Sequence, residues 1–193
     1  MKTLLLTMSL ACPVIVAMTA CAEHTMEPAA NGPSWLLADV RGAVEAEHEA
    51  NAEFHEGPDH WAGIEMKFTL SSSGEDALGR WRTFRIVRYG SGRPEPGTYP
   101  LLRFDLLDPE ATGTLIQFTR TEEDGMRHWT STSGTLTITA SSEERVEGRF
   151  EFTAIECGPR ECAPDPTTIR VTGSFSALPH DPTAGVPVPG DGH

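Results

Sequence analysis

The sequence predicts an all-β fold, an antiparallel β-sandwich or a small barrel of about eight strands. Apolar and polar residues alternate with a period of two along most of the chain, and in a strand this alternation sends successive side chains to opposite faces. Because one face is polar and the other apolar, an antiparallel sheet is favoured over a buried parallel one. Clusters of glycine, proline and serine separate the alternating segments, as in sandwiches and barrels.

The N-terminal segment has the pattern of an export signal. Lys2 precedes an apolar run over residues 4–16, which is followed by Met18-Thr19-Ala20 and then Cys21. The run is shorter than the ~20 apolar residues that a membrane-spanning helix requires, so we expect residues 1–20 to be a removed signal peptide. The small residues before a cysteine resemble the signal of bacterial lipoproteins, which implies palmitate-type acyl chains on Cys21. A plain secretory signal cleaved after Ala20 is the alternative.

Composition divides the rest of the chain into three regions. Residues 21–33 are polar or small and lack periodicity, so we expect a tether. Residues 34–178 carry the alternating pattern and have the length of a single β domain. Residues 179–193 contain four prolines and three glycines, and we expect a disordered tail there.

The first part of the domain, residues 36–56, fits two patterns. Leu36, Val40 and Val44 fit one stripe of a helix. Yet from Val40 to Phe54 small or apolar residues also alternate with charged ones, and a glycine at position 42 disfavours a helix interior. We therefore predict strands across this region.

The remaining strands follow from the same alternation, with one ambiguous register. In residues 81–89, Phe84 and Ile86 indicate one inward face, whereas Trp81, Val87 and Tyr89 indicate the other, so we expect both faces to be covered there. The other predicted strands lie at residues 64–70, 114–119, 135–139, 145–152 and 169–175.

Four short motifs carry a resemblance to a known group of proteins. They are G-T-Y at residues 97–99, G-T-L-T-I-T at 134–139, G-x-F-x-F-x-A at 148–154 and G-x-F at 173–175. In this order they resemble a family of uncharacterised bacterial lipoproteins with a small β-sandwich or barrel. The resemblance implies an envelope protein of that fold and brings no catalytic residue with it.

Net charge restricts the partners. The chain has 15 basic and 28 acidic side chains, and loss of Lys2 with the signal leaves 14 basic ones and a charge of −14. This charge disfavours binding to nucleic acid or to anionic lipid headgroups. We expect a monomer that contacts the membrane through the lipid on Cys21, with a protein or glycan partner left open. Since Ala22 is not aspartate, the lipoprotein resemblance implies the outer membrane where a cell has two.

The cysteines predict one disulfide bond. Cys12 leaves with the signal and Cys21 would carry lipid, so Cys157 and Cys162 remain. An exported chain encounters oxidising conditions, and we expect these two to be bonded. A redox or metal pair is disfavoured because the spacing is not C-x-x-C.

One stretch, residues 45–60, is rich in potential metal ligands, with three histidines and six carboxylates. Such groups suit zinc through nitrogen or calcium through oxygen. However, neither histidine-glutamate pair completes H-E-x-x-H, because Ala52 and Asp59 occupy the second histidine positions. A solvated acidic face without a cofactor is therefore preferred, and zinc or calcium binding is the alternative. Its ligands would be His48, His55, His60, Glu47, Glu49 and Glu56.

No catalytic constellation is predicted. The sequence has no G-x-S-x-G elbow and no phosphate-binding glycine loop. Exposed aromatic residues on a β surface often bind sugars or peptides, and Trp129, beside a histidine in a polar stretch, is the tryptophan expected at the surface. The leading interpretation is a non-enzymatic binding or structural module. A metal-binding protein using residues 45–60 and a small-molecule carrier in a barrel mouth are the alternatives.

Overall fold

The computed structural model describes residues 33–61, 64–90, 92–103, 112–157, 162 and 164–181. The expected signal peptide, nearly all of the tether and the tail beyond residue 181 lie outside these ranges. Within them no helix is long and apolar enough to cross a membrane. Ten strands are described: β1 Trp35–Gly42, β2 Ala46–Ala50, β3 Ala52–Trp61, β4 Ile64–Glu75, β5 Trp81–Tyr89, β6 Gly97–Pro100, β7 Gly113–Glu122, β8 Gly125–Ser141, β9 Val146–Glu156 and β10 Thr168–Pro179.

Seven of the described strands close into a barrel, in the order β10-β3-β4-β5-β7-β8-β9 and back to β10. The pairs are antiparallel except for a short parallel contact in which Leu178 and Pro179 pair with Glu53 and Phe54. The strand β1 pairs antiparallel with β10 along its whole length, β2 pairs with β1, and β6 pairs with β8. The all-β prediction is confirmed, and the arrangement is a barrel with additional strands.

The segment from residue 36 to residue 56 forms strands. The prediction of strands is therefore confirmed, and the alternative of a helix is wrong. Gly42 ends β1 with a φ of +121°, and a Cβ there would lie 2.8 Å from the carbonyl oxygen of Thr168. The next residue, Ala43, donates its N–H to that same oxygen at 3.0 Å. A glycine is therefore required where β1 turns away from β10.

The barrel interior is filled by aromatic side chains. Phe84, Phe118 and Trp129 lie directly opposite one another on β5, β7 and β8. The ring centroids of Phe84 and Phe118 are 4.8 Å apart, those of Phe118 and Trp129 5.7 Å, and Phe150 lies 6.0 Å from Phe84. Small barrels typically have side-chain-filled interiors of this kind.

The prediction that Trp129 lies at the surface is wrong. Its side chain is 0% exposed, and its indole N–H donates to Thr167 Oγ1 at 3.1 Å. The polar residues on either side of it suggested an exposed stretch, but they alternate with it and leave the opposite face. Because Trp129 lies directly opposite the buried Phe118 in the β7–β8 pair, its side chain also enters the core.

The ambiguous strand β5 is covered on both faces toward its end. Phe84 and Ile86 belong to the main core, whereas Val87 and Tyr89 are buried outside that cluster. Trp81, at the start of the strand, is 46% exposed. The expectation of two covered faces is thus confirmed for the second half of β5 and not for Trp81.

The strand directions place four connections at the same end of the barrel. One end carries the β1–β2, β4–β5 and β7–β8 turns and the β9–β10 connection with its two cysteines; we call it the disulfide end. The start of β1 and the end of β10 lie at the other end, where Trp35 pairs with Ser176. There β10 runs one residue past the predicted domain limit, and His180 donates its N–H to the carbonyl oxygen of Phe54 at 2.7 Å.

Candidate functional site

The acidic, histidine-rich stretch is divided between two faces of the sheet. His48 in β2 is only 2% exposed, and its Nε2 lies 2.9 Å from Ser72 Oγ of β4. The neighbouring residues Glu47 and Glu49 point to the other face, as the alternation predicts. Burial, together with the nearby Arg82 guanidinium, lowers the pKa of His48 to about 4, so its ring is neutral at physiological pH.

The other predicted metal ligands lie on β3. Glu56 forms an ion pair with Arg93 at 3.2 Å, and His55 occupies the adjacent position in the strand. The side chain of His60 lies outside the described part of the molecule. Among the described side chains, no three histidine, cysteine, aspartate or glutamate residues come together as metal ligands.

The contact between His48 and Ser72 joins a potential base to a potential nucleophile. The contact could not be predicted from the sequence, because the two residues are 24 positions apart and meet only where β2 packs against β4. Both side chains are buried, and His48 also packs edge-on against Phe84, with centroids 5.0 Å apart. A catalytic base functions best with a pKa near the working pH and with access to substrate. The buried His48 ring has neither property, so we interpret its hydrogen bond to Ser72 as a structural contact.

The predicted disulfide is present, with the sulfur atoms of Cys157 and Cys162 at bonding distance. The bridge closes the connection that follows β9. Cys157 also donates its N–H to the carbonyl oxygen of His128 at 2.9 Å. The bridged segment is therefore fastened to β8 as well as closed on itself.

Three arginines form a row across the barrel mouth at the disulfide end. Arg82, Arg120 and Arg127 lie directly opposite one another on β5, β7 and β8, two residues along each strand from the aromatic row. Arg120 pairs with Glu122 at 3.0 Å, and Arg82 donates to the carbonyl oxygen of Glu47. Beside this row lies an open cleft of about 1080 Å³, lined by residues of three turns.

Arg127 is held by the strongest of these interactions. Its Nε and Nη2 donate to the two carboxylate oxygens of Glu156 at 2.7 and 2.5 Å, and Thr167 donates its hydroxyl to the same carboxylate at 2.6 Å. These hydrogen bonds lower the pKa of Glu156 to about 2. The guanidinium also lies 5.1 Å above the Trp129 ring. Charges paired this closely stabilise the barrel mouth.

A separate groove of about 290 Å³ lies on the outer face of β5, β7 and β8. Thr83, Thr119 and His128 form a polar row across these strands, and Thr119 Oγ1 lies 3.0 Å from His128 Nδ1. Trp81 lies at the end of the groove that faces the disulfide end of the barrel. We call this site the Trp81 groove; it is lined by Trp81, Thr83, Arg85, Gln117, Thr119, Met126, His128 and Cys157.

Sequence reasoning selected the wrong tryptophan for the surface, although the signal for the right one was present. Trp81 has the opposite parity to Phe84 and Ile86 in the same strand, so a core formed by those two places the indole outside. For these two tryptophans, the odd or even position in the strand predicts exposure better than the polarity of the neighbouring residues does.

Comparison with protein-family models, with curated proteins and with solved structures gives no match.

Proposed function

We propose that the protein is a lipid-anchored, non-enzymatic binding module of the bacterial envelope, and that its ligand site is the Trp81 groove. The observation that carries this proposal is a large aromatic side chain, Trp81, left 46% exposed beside a polar row on the outer wall of a barrel. A tryptophan with one exposed face and polar neighbours is a common feature of recognition surfaces.

The filled interior favours this proposal over a small-molecule carrier. The rings of Phe84, Phe118, Trp129 and Phe150 contact one another across the barrel. A carrier needs an internal space that its cargo can enter. The outer wall is thus the better place to look for a ligand.

The positions of the chain ends suit an anchored module. The described chain enters β1 at the end of the barrel opposite the disulfide end, whereas Trp81 and Met126 lie close to the disulfide end. A tether from Cys21 to Pro33 can span at most about 45 Å when fully extended. With the lipid on Cys21, the Trp81 groove would face away from the membrane and remain accessible.

Two measurements test the proposal. First, the full chain and its Cys21→Ser variant are expressed in the bacterium that encodes them and fractionated. We expect the unmodified chain with membranes and the variant in the soluble fraction, because two or three acyl chains are needed for stable attachment. A soluble wild-type protein with an unlipidated Cys21 would refute the anchor.

Second, the soluble Cys21→Ser protein is added back to isolated envelopes of the same bacterium. We expect saturable binding that a second substitution, Trp81→Ala, abolishes. The matched control is Leu78→Ala, because Leu78 is 73% exposed and lines the end cleft instead of the groove. Absence of saturable binding, or equal loss in both variants, would overturn the binding-module proposal.

A further inference from the structure

We infer that the Trp81 groove takes an uncharged saccharide, which stacks on the exposed indole and hydrogen-bonds to the polar row beside it. This inference rests on the proposed function and adds the chemical class of the ligand. It depends on four properties of the groove: its aromatic wall, its mixed hydrogen-bonding groups, its charge and its position in the sheet.

The aromatic wall suits one face of a sugar ring. Trp81 is the first residue of β5 and is partly exposed, with Met126 of β8 also lining the groove. An indole offers a flat apolar surface at low conformational cost. Pyranose rings present a patch of C–H groups on one face, and that patch is complementary to such a surface.

The polar groups match the hydroxyls at the edge of the same ring. A saccharide hydroxyl both donates and accepts, so its site needs both kinds of partner. The groove supplies the Gln117 amide and the hydroxyls of Thr83 and Thr119, which retain hydrogen-bonding capacity beside their contacts with Ser73 and His128. His128 is hydrogen-bonded to Thr119 through Nδ1, and its Nε2 has no hydrogen-bond partner among the residues that the structure describes. Burial lowers the pKa of His128, so the ring stays neutral and presents one donor and one acceptor nitrogen.

The charge of the whole chain disfavours an acidic sugar. Arg85 is the residue with a formal charge among the described groove residues when histidine is neutral, and its side chain already interacts with another part of the protein. The whole chain has a net charge of −13, and the field of such a protein repels acidic polymers at long range. Neutral glycans approach without this penalty.

The position in the sheet favours a sugar over a peptide strand. A recurring way for a peptide to bind a sheet is to add as a strand to a free edge. Here β7 is paired on one side with β5 and on the other with β8, so the backbone in the middle of the groove has no free edge to extend. A volume of about 290 Å³ is at the small end for ligand sites, which suits a single unit or the end of a glycan chain.

The test uses the envelope-binding assay with the Cys21→Ser protein. One envelope sample is treated with periodate, which cleaves sugar vicinal diols, and another with a broad protease. We expect periodate to abolish binding and protease to leave it intact. Neutral oligosaccharides from hydrolysed envelopes should compete for the site, whereas the acidic fraction should compete at least about tenfold more weakly.

Substitutions then locate the sugar. Trp81→Ala and Gln117→Ala should each weaken competition by the neutral fraction at least about tenfold, Trp81→Phe should retain part of it, and Leu78→Ala should leave it unchanged. Binding that survives periodate and is lost after protease would overturn the saccharide inference while leaving the binding module in place. Failure of the untreated envelopes to bind would overturn the proposed function itself.

Discussion

His48 of β2 lies 2.9 Å from Ser72 of β4 through its Nε2 atom, with both side chains buried. The bond ties the β1–β2 hairpin to the wall of the barrel. Because the imidazole must remain neutral there, its protonation opposes folding. Acid should therefore weaken the attachment of this hairpin.

The first prediction concerns acid stability. The pKa of His48 is lowered from 6.5 to about 4 in the folded protein, so between these values the unfolded chain binds more protons. The stability that neutral His48 contributes is complete above pH 6.5 and is lost as the pH falls toward 4, by up to about 3 kcal/mol. Urea unfolding at pH 7.5 and at pH 4.5 measures this loss.

A matched pair of variants isolates the histidine. His48→Gln keeps a donor toward Ser72 and removes the titration, so its stability should fall less between the two pH values. Ser72→Ala keeps the titrating ring and should retain the full acid dependence. An unchanged pH dependence in His48→Gln would show that other groups control the loss.

The second prediction concerns the carboxylate that holds Arg127. Glu156→Gln should lower the free energy of unfolding by about 1–3 kcal/mol at pH 7, because a partly buried guanidinium loses its charged acceptor. With a folded pKa of about 2 against an ordinary value of 4.5, Glu156 stabilises the fold above pH 4.5, and this contribution is lost as the pH falls toward 2. Thermal or urea unfolding detects the change.

The control for this variant is Glu123→Gln in the neighbouring β7–β8 turn, where the side chain is exposed. It should alter stability by no more than about 0.5 kcal/mol. Equal effects of the two substitutions would mean that general loss of negative charge, and not the pairing with Arg127, is responsible.

The third prediction concerns the disulfide bond. Replacing Cys157 and Cys162 together by serine should cost about 2 kcal/mol, the value expected for closing so short a loop. Cys157 is buried but lies outside the main core cluster, so the double variant should still fold. Urea unfolding with and without a thiol reductant provides the measurement. The reductant should destabilise the native chain and leave the double variant unaffected; sensitivity of both would point to an effect other than this bond.

The fourth prediction concerns Gly134, where β8 bends against β9. Its φ is +132°, and an added Cβ would collide with the carbonyl oxygen of Glu151 and lie 2.6 Å from Phe152 Cα. Gly134→Ala should therefore destabilise the protein by more than about 2 kcal/mol. The control, Gly92→Ala, adds a Cβ with no atom within 4 Å and should be nearly neutral. Similar stabilities of the two variants would refute the close approach.

Alternation predicted most strands, because burial on one face imposes a period of two on any half-buried strand. The alternation did not distinguish a sandwich from a barrel, since both architectures require the same pattern. What closes the ring is the pairing of β10 with β9 and with β3. These contacts depend on strand order, which a local pattern does not contain.

The site residues were harder to predict for a related reason. A two-residue period gives the face of each side chain and not the strand opposite it. The row of Thr83, Thr119 and His128 depends on the registers of two strand pairs, and the meeting of His48 with Ser72 depends on the path of β2. By contrast, the disulfide was predictable by elimination, because assigning Cys12 to the signal and Cys21 to the lipid leaves Cys157 and Cys162 as the remaining pair.

The pairing of β1 with β10 joins the first and last described strands along eight residue pairs. Until β10 is available, β1 lacks this partner, and β9 and β3 each keep an unsatisfied edge. Contacts between such distant segments slow folding, because the long loop must close first. Synthesis begins at the N-terminus, so β1 is made long before β10, and the barrel cannot close until the last described strand is complete. The last residues of the domain therefore decide when the ring of strands can form.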